Sequence, residues 1–468
     1  MLPGCVAVLD VGKTLTKLNL FTEEARLLAQ RSYKNRIIEL DGRRWLDTEG
    51  IAEWLRATLQ ELAKLRPPAA IVPTGHGAAA ALIRECALAC PVPDYEDAID
   101  PAIRTEYDMQ RDAFSATGSP ALPCGLNLGA QLYRLERDRP GIWDNGTAIV
   151  PWPQFWAWKL CGVAAAEVSS LGCHTDLWLP AQGRPSSIAR RLGWADHFAA
   201  MRSAGDVLGT LKSEWAAVTG LRKDTRVYCG AHDSNAALHA VRAYPIVSGR
   251  EATVISTGTW FVAMRMPADP AAFDLANLPE SRDCLVNVDI AGMPVPSARF
   301  MGGRELDQLG GLDSVDTSAA IAALPTVLRA GSMVLPSGVP GVGPFPKAPG
   351  GWINEPQDAP ARAAAAALYA AMMVDTSLQL IGSREALIVE GRFASSELFI
   401  RSLATLRSSD QVLINRGPGD GVTYGALRLI DHKLRAPGSL DPVRPLELDL
   451  AAYKSRWLAA VSTEENWR

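Results

Sequence analysis

The chain has 468 residues, a length that exceeds one ordinary hydrophobic core and favours two domains. Its 47 lysines and arginines nearly balance its 51 aspartates and glutamates, and the net charge of -4 provides no basic footprint for a nucleic-acid partner. Eight scattered cysteines without metal-ligand spacing favour reduced thiols in a cytoplasmic protein over a disulfide framework or a zinc site.

The first predicted element is a β-hairpin over residues 6–21 (VAVLDVGKTLTKLNLF). An apolar strand runs into a tight turn centred on Gly12, and a second strand alternates with period two. Lys13 and Thr14 after this glycine resemble the end of a Walker A loop. That motif needs a further glycine where Ala7 stands, and a helix where the second strand lies, so a P-loop is a weak alternative.

Strand and helix patterns alternate along the rest of the chain, which predicts an α/β fold with helices covering a largely buried sheet. Strand patterns occupy residues 70–74, 147–151, 227–230, 254–257 and 386–390, and helical patterns occupy residues 51–65, 78–88, 153–160, 361–380 and 395–406.

Three further segments define the organisation of the chain. Residues 336–351 are so rich in glycine and proline that they predict an irregular loop, either a lid or a long connection. The alanine-rich run 363–374 is well short of the ~20 apolar residues of a membrane span, so we expect a buried helix and no membrane partner. The chain opens directly into a strand pattern, which predicts no signal peptide.

A second hairpin, residues 252–264 (ATVISTGTWFVAM), repeats the strand, small-residue turn and strand of the first one. Glycine at each turn lets backbone N–H groups approach an anion, and neighbouring threonine hydroxyls add donors. One such turn in each half of the chain suggests a phosphate held from both sides. Because the boundary lies near residues 243–251, we predict domains of 1–244 and 245–468, related by an ancient duplication.

Asp233 lies between the two hairpins, in the run Gly-Ala-His-Asp that follows a strand pattern. A strand end that leads into a helix is a common location for chemistry in α/β proteins. An aspartate there is often only a helix cap, and Asp10 before Gly12 is often only a turn former. The position of Asp233 between two anion-binding turns favours catalysis.

Together these motifs resemble the FGGY carbohydrate kinases, members of the superfamily of actin, hexokinase and the heat-shock ATPases, over essentially the whole chain. The first hairpin is similar to the family's first phosphate motif and the second hairpin to its second. His232 and Asp233, together with Gly258-Thr259-Trp260, are closest to rhamnulokinase and fuculokinase. The resemblance implies two lobes of duplicated, ribonuclease H-like domains with a cleft between them.

The resemblance also implies ATP and Mg²⁺ as cofactors, and roles for particular residues. Asp233 is the expected catalytic base, and Asp10 and Asp233 are the expected metal-binding residues. The expected ATP contacts from the two hairpins are Asp10, Gly12, Lys13, Thr14, Thr16, Lys17, Thr257, Gly258 and Thr259. Gly391 and Ser396 lie in the place of the family's adenosine motif, where a run of glycines is usual and this chain keeps Gly391 between Glu390 and Arg392.

The expected sugar contacts are Gly75, His76, Gln154, His232 and Asp233. His76 either contacts a sugar hydroxyl or merely satisfies its own loop, and the tryptophans after Gln154 are expected in the core. We therefore predict an ATP-dependent kinase of a 6-deoxyketohexose, L-rhamnulose or L-fuculose. A pentulose or polyol kinase and a catalytically weak sugar-binding regulator are the alternatives. The predicted partners are the sugar and ATP, and a homodimer is left open.

Overall fold

The computed structural model describes residues 2–269, 273–312, 315–417, 421–436 and 438–465. The strands are β1 Val6–Val11, β2 Leu15–Phe21, β3 Leu27–Lys34, β4 Ile37–Leu40, β5 Arg43–Leu46, β6 Ala70–Gly75, β7 Ala80–Arg84, β8 Ala87–Leu88, β9 Ala148–Pro151, β10 Trp178–Leu179, β11 Arg184–Pro185, β12 Val207–Thr210, β13 Arg226–Tyr228, β14 Ala231–His232, β15 Ala252–Thr257, β16 Phe261–Met266, β17 Cys284–Val288, β18 Pro294–Phe300, β19 Met333–Leu335, β20 Gly351–Ile353, β21 Ala386–Gly391, β22 Gln411–Asn415 and β23 Leu440–Pro442. The helices are α1 Thr48–Leu65, α2 Pro101–Asp108, α3 Phe114–Thr117, α4 Leu128–Asp138, α5 Trp152–Cys161, α6 Val168–Leu171, α7 Ser187–Arg191, α8 Ser213–Thr219, α9 Asp233–Val241, α10 Gly302–Gln308, α11 Thr317–Ala330, α12 Ala359–Leu380, α13 Glu397–Leu406, α14 Gly421–Ile430 and α15 Ala451–Glu465.

The chain forms two compact units. The first unit contains Met1–Ala243, Val286–Pro294 and Gly419–Ala436. The second unit contains Tyr244–Leu285, Val295–Pro418 and Pro437–Arg468. The division into duplicated halves of 1–244 and 245–468 stays a prediction.

The first unit is built on a seven-stranded sheet with the order β12-β13-β6-β1-β2-β3, in which β14 also pairs with β6. Strands β1, β6, β13 and β14 are parallel to one another along this path, and β2 returns antiparallel to β1. Every residue of β1 is buried, because helices cover both faces of the sheet's centre. The fold therefore brings the carboxyl ends of β1, β6 and β14 to one edge.

Helix α14 belongs to the first unit although it lies almost two hundred residues beyond α9 in the sequence. It packs on α9, and a Cβ added to Gly425 would lie 3.1 Å from the Cα of Ala236 and closer still to its carbonyl oxygen. Only glycine permits this approach of the two helix backbones. A close long-range contact of this kind is invisible to local sequence patterns.

The second unit has its own seven-stranded sheet, with the order β17-β18-β16-β15-β21-β22-β23. Its centre repeats the pattern of the first sheet: β15 pairs antiparallel with β16 and parallel with β21, which is parallel to β22. Helix α12 is long and apolar enough to cross a membrane by length and composition, but 89% of its most apolar window is buried inside the protein. This agrees with the predicted buried helix.

The structure confirms the mixed α/β fold, both hairpins, the five predicted strands and four of the five predicted helices. The helix predicted over residues 78–88 is wrong, because that segment forms β7 and β8. Strand β7 pairs antiparallel with β9, and the two residues between β7 and β8, Glu85 and Cys86, have φ of 47° and 67°. Left-handed residues of this kind make a tight hairpin turn, so tertiary pairing overrides the helix propensity of the alanines.

The predicted irregular loop between β19 and β20 is confirmed. All eight cysteines lie within the described residues and are free thiols, five of them buried.

Candidate active site

Two aspartates lie at the same edge of the first unit's sheet. Asp10 in β1 pairs with Thr74 in β6, and Thr74 pairs with Ala231 in β14. Because neighbouring strands are ~4.8 Å apart, the backbones of Asp10 and Ala231 are about 10 Å apart. Asp233 follows two residues later, where β14 ends and α9 begins, as the sequence predicts. The sheet register thus brings both predicted acidic residues to one place in the first unit.

Asp10 is oriented by its neighbours in the sheet. It is only 7% exposed, and the Thr74 hydroxyl donates a hydrogen bond of 3.1 Å to its Oδ1. Lys17 lies directly opposite Asp10 in the antiparallel register of the hairpin. A carboxylate that is held this way keeps a fixed direction for any ligand it accepts.

The first hairpin turn is tight and is held by a residue that the sequence analysis did not identify. The Gly12 amide donates to the Leu15 carbonyl at 3.1 Å. The side chain of Asn35 donates to the Gly12 carbonyl at 2.8 Å and accepts the Thr16 hydroxyl at 2.7 Å. The backbone N–H of Asn35 also donates to the Thr14 carbonyl. Asn35, which immediately follows β3, therefore fixes the turn, a contact that no local motif signals.

Lys13 contacts an acidic loop in this structure. Its ammonium pairs with the buried Asp94, lies 3.6 Å from Glu96 and lies 4.7 Å from the centre of the Tyr95 ring. Burial raises the pKa of Asp94, but Lys13, the backbone amide of Glu96 and Arg44 together outweigh burial and hold that pKa below its usual value. The predicted contact of Lys13 with a nucleotide phosphate stays a prediction, and it competes with this ion pair.

Ser234 donates twice to one oxygen of Asp233, and His232 lies beside that oxygen. Oδ1 accepts from the Ser234 amide at 2.5 Å and from the Ser234 hydroxyl at 3.2 Å, and His232 Nε2 lies 3.2 Å from the same atom. Burial lowers the pKa of His232 to about 4, so the imidazole beside Asp233 is neutral at pH 7. Cys173 Sγ lies 3.4 Å from the same ring nitrogen. The carboxylate is therefore held on one side, and 26% of its side chain is exposed.

The loop after β6, which carries the expected sugar contacts Gly75 and His76, lies beside His232. A Cβ on Gly77 would lie 2.6 Å from Cys173 Sγ and 3.0 Å from His232 Nε2, and a Cβ on Gly75 would lie 2.8 Å from Trp152 Cδ1. Both glycines are needed for this close packing. The end of β6 is therefore brought against the residues that surround Asp233.

His76, the residue between these glycines, is 8% exposed. Its ring meets the Tyr95 ring edge-on at 5.3 Å, and its Nδ1 lies 2.9 Å from the Gly77 carbonyl. Burial lowers the pKa of His76 to about 4, so the ring is neutral at pH 7. His76 satisfies its own loop, and its contact with a sugar stays a prediction. Sequence reasoning missed Tyr95, which contacts both His76 and Lys13.

Gln154 supports the turn that precedes Asp233. It is fully buried, and its Nε2 donates to the carbonyls of Gly230 at 3.0 Å and Cys229 at 3.3 Å. Gly230 has φ of 78°, and a Cβ there would lie 2.9 Å from the carbonyl carbon of Pro73, so the turn requires glycine. The predicted sugar contact of Gln154 remains a prediction.

The second hairpin turn is held from the neighbouring strand of the second unit. The Gly258 amide donates to the Trp260 carbonyl at 3.0 Å. Thr257 Oγ1 donates to the Glu390 carbonyl at 2.6 Å and accepts from the Phe393 amide at 3.0 Å. The hydroxyl of Thr257 is thereby committed to structure, whereas Thr259 at the turn is exposed.

The amino end of α10 abuts this turn. A Cβ on Gly303 would lie 2.9 Å from the carbonyl carbon of Gly258 and 3.1 Å from the Cα of Thr259. Local sequence patterns assign no role to the pair Gly302-Gly303. The structure explains the second glycine by the close approach of the amino end of α10 to the second hairpin turn.

Gly391 lies opposite Thr257 in the parallel register of β15 and β21. It has φ of 89° and ψ of -165°, a combination that is essentially confined to glycine. Ser396 follows the short 3₁₀ turn Arg392–Ser395 and immediately precedes α13. Both residues of the predicted adenosine segment thus lie at the carboxyl end of β21.

The carboxylate of Glu390, next to Gly391, is part of a polar network in the second unit. Ser256 Oγ donates to Glu390 Oε1 at 2.9 Å, and Asn415 Nδ2 lies 3.5 Å from Oε2. The Tyr244 hydroxyl donates to Asn415 Oδ1 at 2.9 Å. The network joins β15, β21 and β22 at one edge, and Tyr244 and Asn415 are members that sequence reasoning missed.

Within the described residues, no group of three or more histidines, cysteines, aspartates and glutamates is arranged to hold a metal ion. Mg²⁺ keeps several water ligands and usually takes only one or two carboxylates from a protein. Asp10 and Asp233 are two such carboxylates at one sheet edge. They fit a hydrated Mg²⁺ and do not fit a fully protein-ligated metal.

The chain was compared with known families and structures. Residues 249–437 match the family model for the C-terminal domain of FGGY carbohydrate kinases. A carbohydrate kinase from Novosphingobium aromaticivorans is 47% identical, with coverage of 99% of each chain and a TM-score of 0.94. No match was found among curated proteins.

More distant structures share the fold alone. A xylulose kinase from Rhodospirillum rubrum is 18% identical, with coverage of 99% of each chain and a TM-score of 0.75. A gluconate kinase from Lactobacillus acidophilus is 14% identical, with coverage of 99% of this chain and 97% of that one and a TM-score of 0.77.

Proposed function

This chain belongs to the FGGY carbohydrate kinase family and is a sugar kinase, and from that premise we propose that it transfers the γ-phosphate of ATP to the terminal hydroxyl of a 6-deoxyketohexose, L-rhamnulose or L-fuculose. One observation above all supports the proposed phosphoryl transfer: Asp10 and Asp233 lie at the same edge of one sheet. The choice of sugar is supported by the combination of His232-Asp233 with Gly258-Thr259-Trp260.

In the proposed reaction Asp233 is the general base. The O–H bond of the sugar hydroxyl breaks and its proton goes to the Asp233 carboxylate, while the hydroxyl oxygen forms a bond to the γ-phosphorus. The bond between the γ-phosphorus and its bridging oxygen breaks, and ADP leaves with that electron pair. The proton then passes from Asp233 to solvent. Ser234 holds Oδ1 of the base during this transfer, and His232 lies beside it.

The two hairpin turns are the proposed source of donors for the nucleotide phosphates. The exposed hydroxyl of Thr14 lies at the first turn and the exposed hydroxyl of Thr259 at the second. The Thr16 hydroxyl is buried and donates to Asn35, so its expected contact with ATP competes with that bond. Asp10 and Asp233 would hold Mg²⁺, which supplies positive charge against the phosphate oxygens when it is bound.

A panel of sugars in a coupled ADP-release assay tests the proposal. We expect kcat/KM to be highest for L-rhamnulose or L-fuculose, because hydrogen bonds to particular hydroxyls discriminate more strongly than a single methyl group does. A best activity with D-xylulose, D-ribulose or a polyol would overturn the deoxyketose assignment and leave a pentulose or polyol kinase. Binding of a sugar without ADP release would favour the sugar-binding regulator.

We also propose that the protein acts in the cytoplasm, alone or as a homodimer, with the sugar and ATP as its partners. The support for this location is the eight free thiols.

A further inference from the structure

The main chain that leads to Asp233 is held from helix α6. The backbone N–H of His232, the residue before Asp233, donates to the Ser169 hydroxyl at 3.2 Å. His232 is the last residue of β14, a strand of two residues that pairs with β6. Because so short a strand forms few ladder hydrogen bonds, the bond to Ser169 provides a large share of what fixes its main chain.

The chemistry of these groups gives the bond one direction. A backbone N–H only donates, so the Ser169 oxygen accepts from His232 and directs its own proton elsewhere. That proton goes to Oε2 of Glu167, which lies 2.6 Å from the Ser169 oxygen. A hydroxyl that donates to a carboxylate forms a short and strong hydrogen bond. The chain of bonds therefore runs from the His232 amide through Ser169 to Glu167.

Glu167, the N-cap residue of α6, is fixed by several donors. Its Oε1 accepts from the Ser169 amide at 3.0 Å, and its Oε2 also accepts from the Ser170 amide at 3.2 Å and the Ser170 hydroxyl at 3.3 Å. Glu167 and Ser169 are both fully buried. Burial raises the pKa of Glu167 to about 7, although the serine donors favour the carboxylate. Above that pH the carboxylate is a fixed acceptor for the Ser169 proton.

We propose that Ser169 and Glu167 are positioning residues: Glu167 takes the hydrogen bond of the Ser169 hydroxyl, and the Ser169 oxygen holds the main chain of His232 so that Asp233 is placed to accept the proton of the sugar hydroxyl. The catalytic consequence rests on the proposed function, whereas the chain of hydrogen bonds does not. Supporting partners of this kind are worth ~10- to 100-fold in activity.

Ser170 is the matched control for Ser169. Both serines lie in α6, both are buried, and both donate from their amide and their hydroxyl to Glu167, whereas the His232 amide donates to Ser169. Ser169→Ala and Ser170→Ala therefore each remove a hydroxyl bond to Glu167 and differ in the bond to His232. Glu167→Ala removes the acceptor of the Ser169 proton. Glu167→Gln is the conservative variant, because its carboxamide oxygen can still accept that proton.

Steady-state kinetics at about pH 8.5, where Glu167 is a carboxylate, measure the catalytic consequence. We expect Ser169→Ala to lower kcat ~10-fold or more with the ATP KM little changed, and Ser170→Ala to keep kcat near the parent value. Glu167→Ala should lower kcat as well, and Glu167→Gln should restore most of it. The double variant of Ser169→Ala and Glu167→Ala should be no slower than the slower single variant, because the two residues act in one chain.

Hydrogen–deuterium exchange of the peptide 229–235 measures the hydrogen bond itself, without any substrate. We expect the His232 amide to exchange faster in Ser169→Ala than in the parent protein or in Ser170→Ala.

Equal kcat values of Ser169→Ala and Ser170→Ala would overturn the inference, and so would equal exchange of His232 in these two variants. If Ser169→Ala does not fold, Glu167→Ala and Glu167→Gln decide the same question, because both keep the Ser169 hydroxyl, and equal kcat values of these two would overturn it. A parent protein that phosphorylates no sugar would overturn the proposed function and the catalytic consequence with it. The exchange measurement would still decide whether Ser169 holds His232, so the two failures are distinguishable.

Discussion

Gly391→Ala is expected to destabilise the second unit at its predicted nucleotide edge. The backbone at Gly391 has φ of 89° and ψ of -165°, a region that costs a residue with a side chain ~1–3 kcal/mol. The new Cβ would also lie 3.0 Å from both the nitrogen and the carbonyl carbon of Thr257, and closer still to its oxygen. Moving backbone away from such a contact costs a further ~1–3 kcal/mol. The expected loss of stability is therefore about 2–6 kcal/mol.

The backbone movement that makes room for the new Cβ would also disturb the hydrogen bonds of Thr257 with the Glu390 carbonyl and the Phe393 amide. If this edge binds the nucleotide, Gly391→Ala should raise the KM for ATP ~10-fold, equivalent to about 1.4 kcal/mol, and leave the KM for the sugar within a few-fold. Urea denaturation measures the loss of stability, and steady-state kinetics measure the change in the KM for ATP.

Gly249→Ala is the matched control in the same unit. Gly249 also has a positive φ, 66°, but nothing lies within 4 Å of an added Cβ, so only the strain of about 1 kcal/mol applies. If Gly391→Ala were as stable as Gly249→Ala, the reasoning about the close contact with Thr257 would be refuted.

Two further predictions concern the first unit. Lys13→Met should lower stability by ~1–3 kcal/mol in urea denaturation, because the buried Asp94 loses one cationic partner and keeps Arg44. The exposed Lys34→Met is the control, and equal stability of the two variants would contradict the ion pair. His76→Phe should make the free energy of unfolding less sensitive to acid: between pH 6.5 and about 4, the variant should lose ~1.4 kcal/mol less per pH unit than the parent protein. The reason is that the imidazole takes up a proton below pH 6.5 in the unfolded chain but only near pH 4 in the folded one, so the stability that the neutral ring provides is complete above pH 6.5 and is lost towards pH 4. Parallel pH profiles of parent and variant would rule out a buried neutral ring.

Local patterns were sufficient to predict the parts of the site that lie in single segments. Both hairpins follow from period-two alternation around a glycine turn, and the place of Asp233 follows from a strand pattern that leads into a helix. These features depend on residues adjacent in sequence, whose preferences agree with the final fold.

Contacts between distant segments could not be predicted in the same way. Asn35 contacts the first turn from the position that follows β3, and Asp94 and Tyr95 contact Lys13 from a loop about eighty residues away. The alanine-rich segment 78–88 gave the one wrong helix because its pairing with β9 is a tertiary effect. Long-range packing of this kind leaves no periodic signal in the sequence.

The turnover of Asp233→Asn with the best sugar substrate tests the central claim most directly. An asparagine oxygen can still accept from the amide and hydroxyl of Ser234, so the fold and ATP binding should persist. The loss of a general base should lower kcat ~10²-fold or more, whereas Asp224→Asn, an exposed change of the same charge, should have no effect. A kcat for Asp233→Asn within a few-fold of the parent value would contradict the assignment of Asp233 as the base.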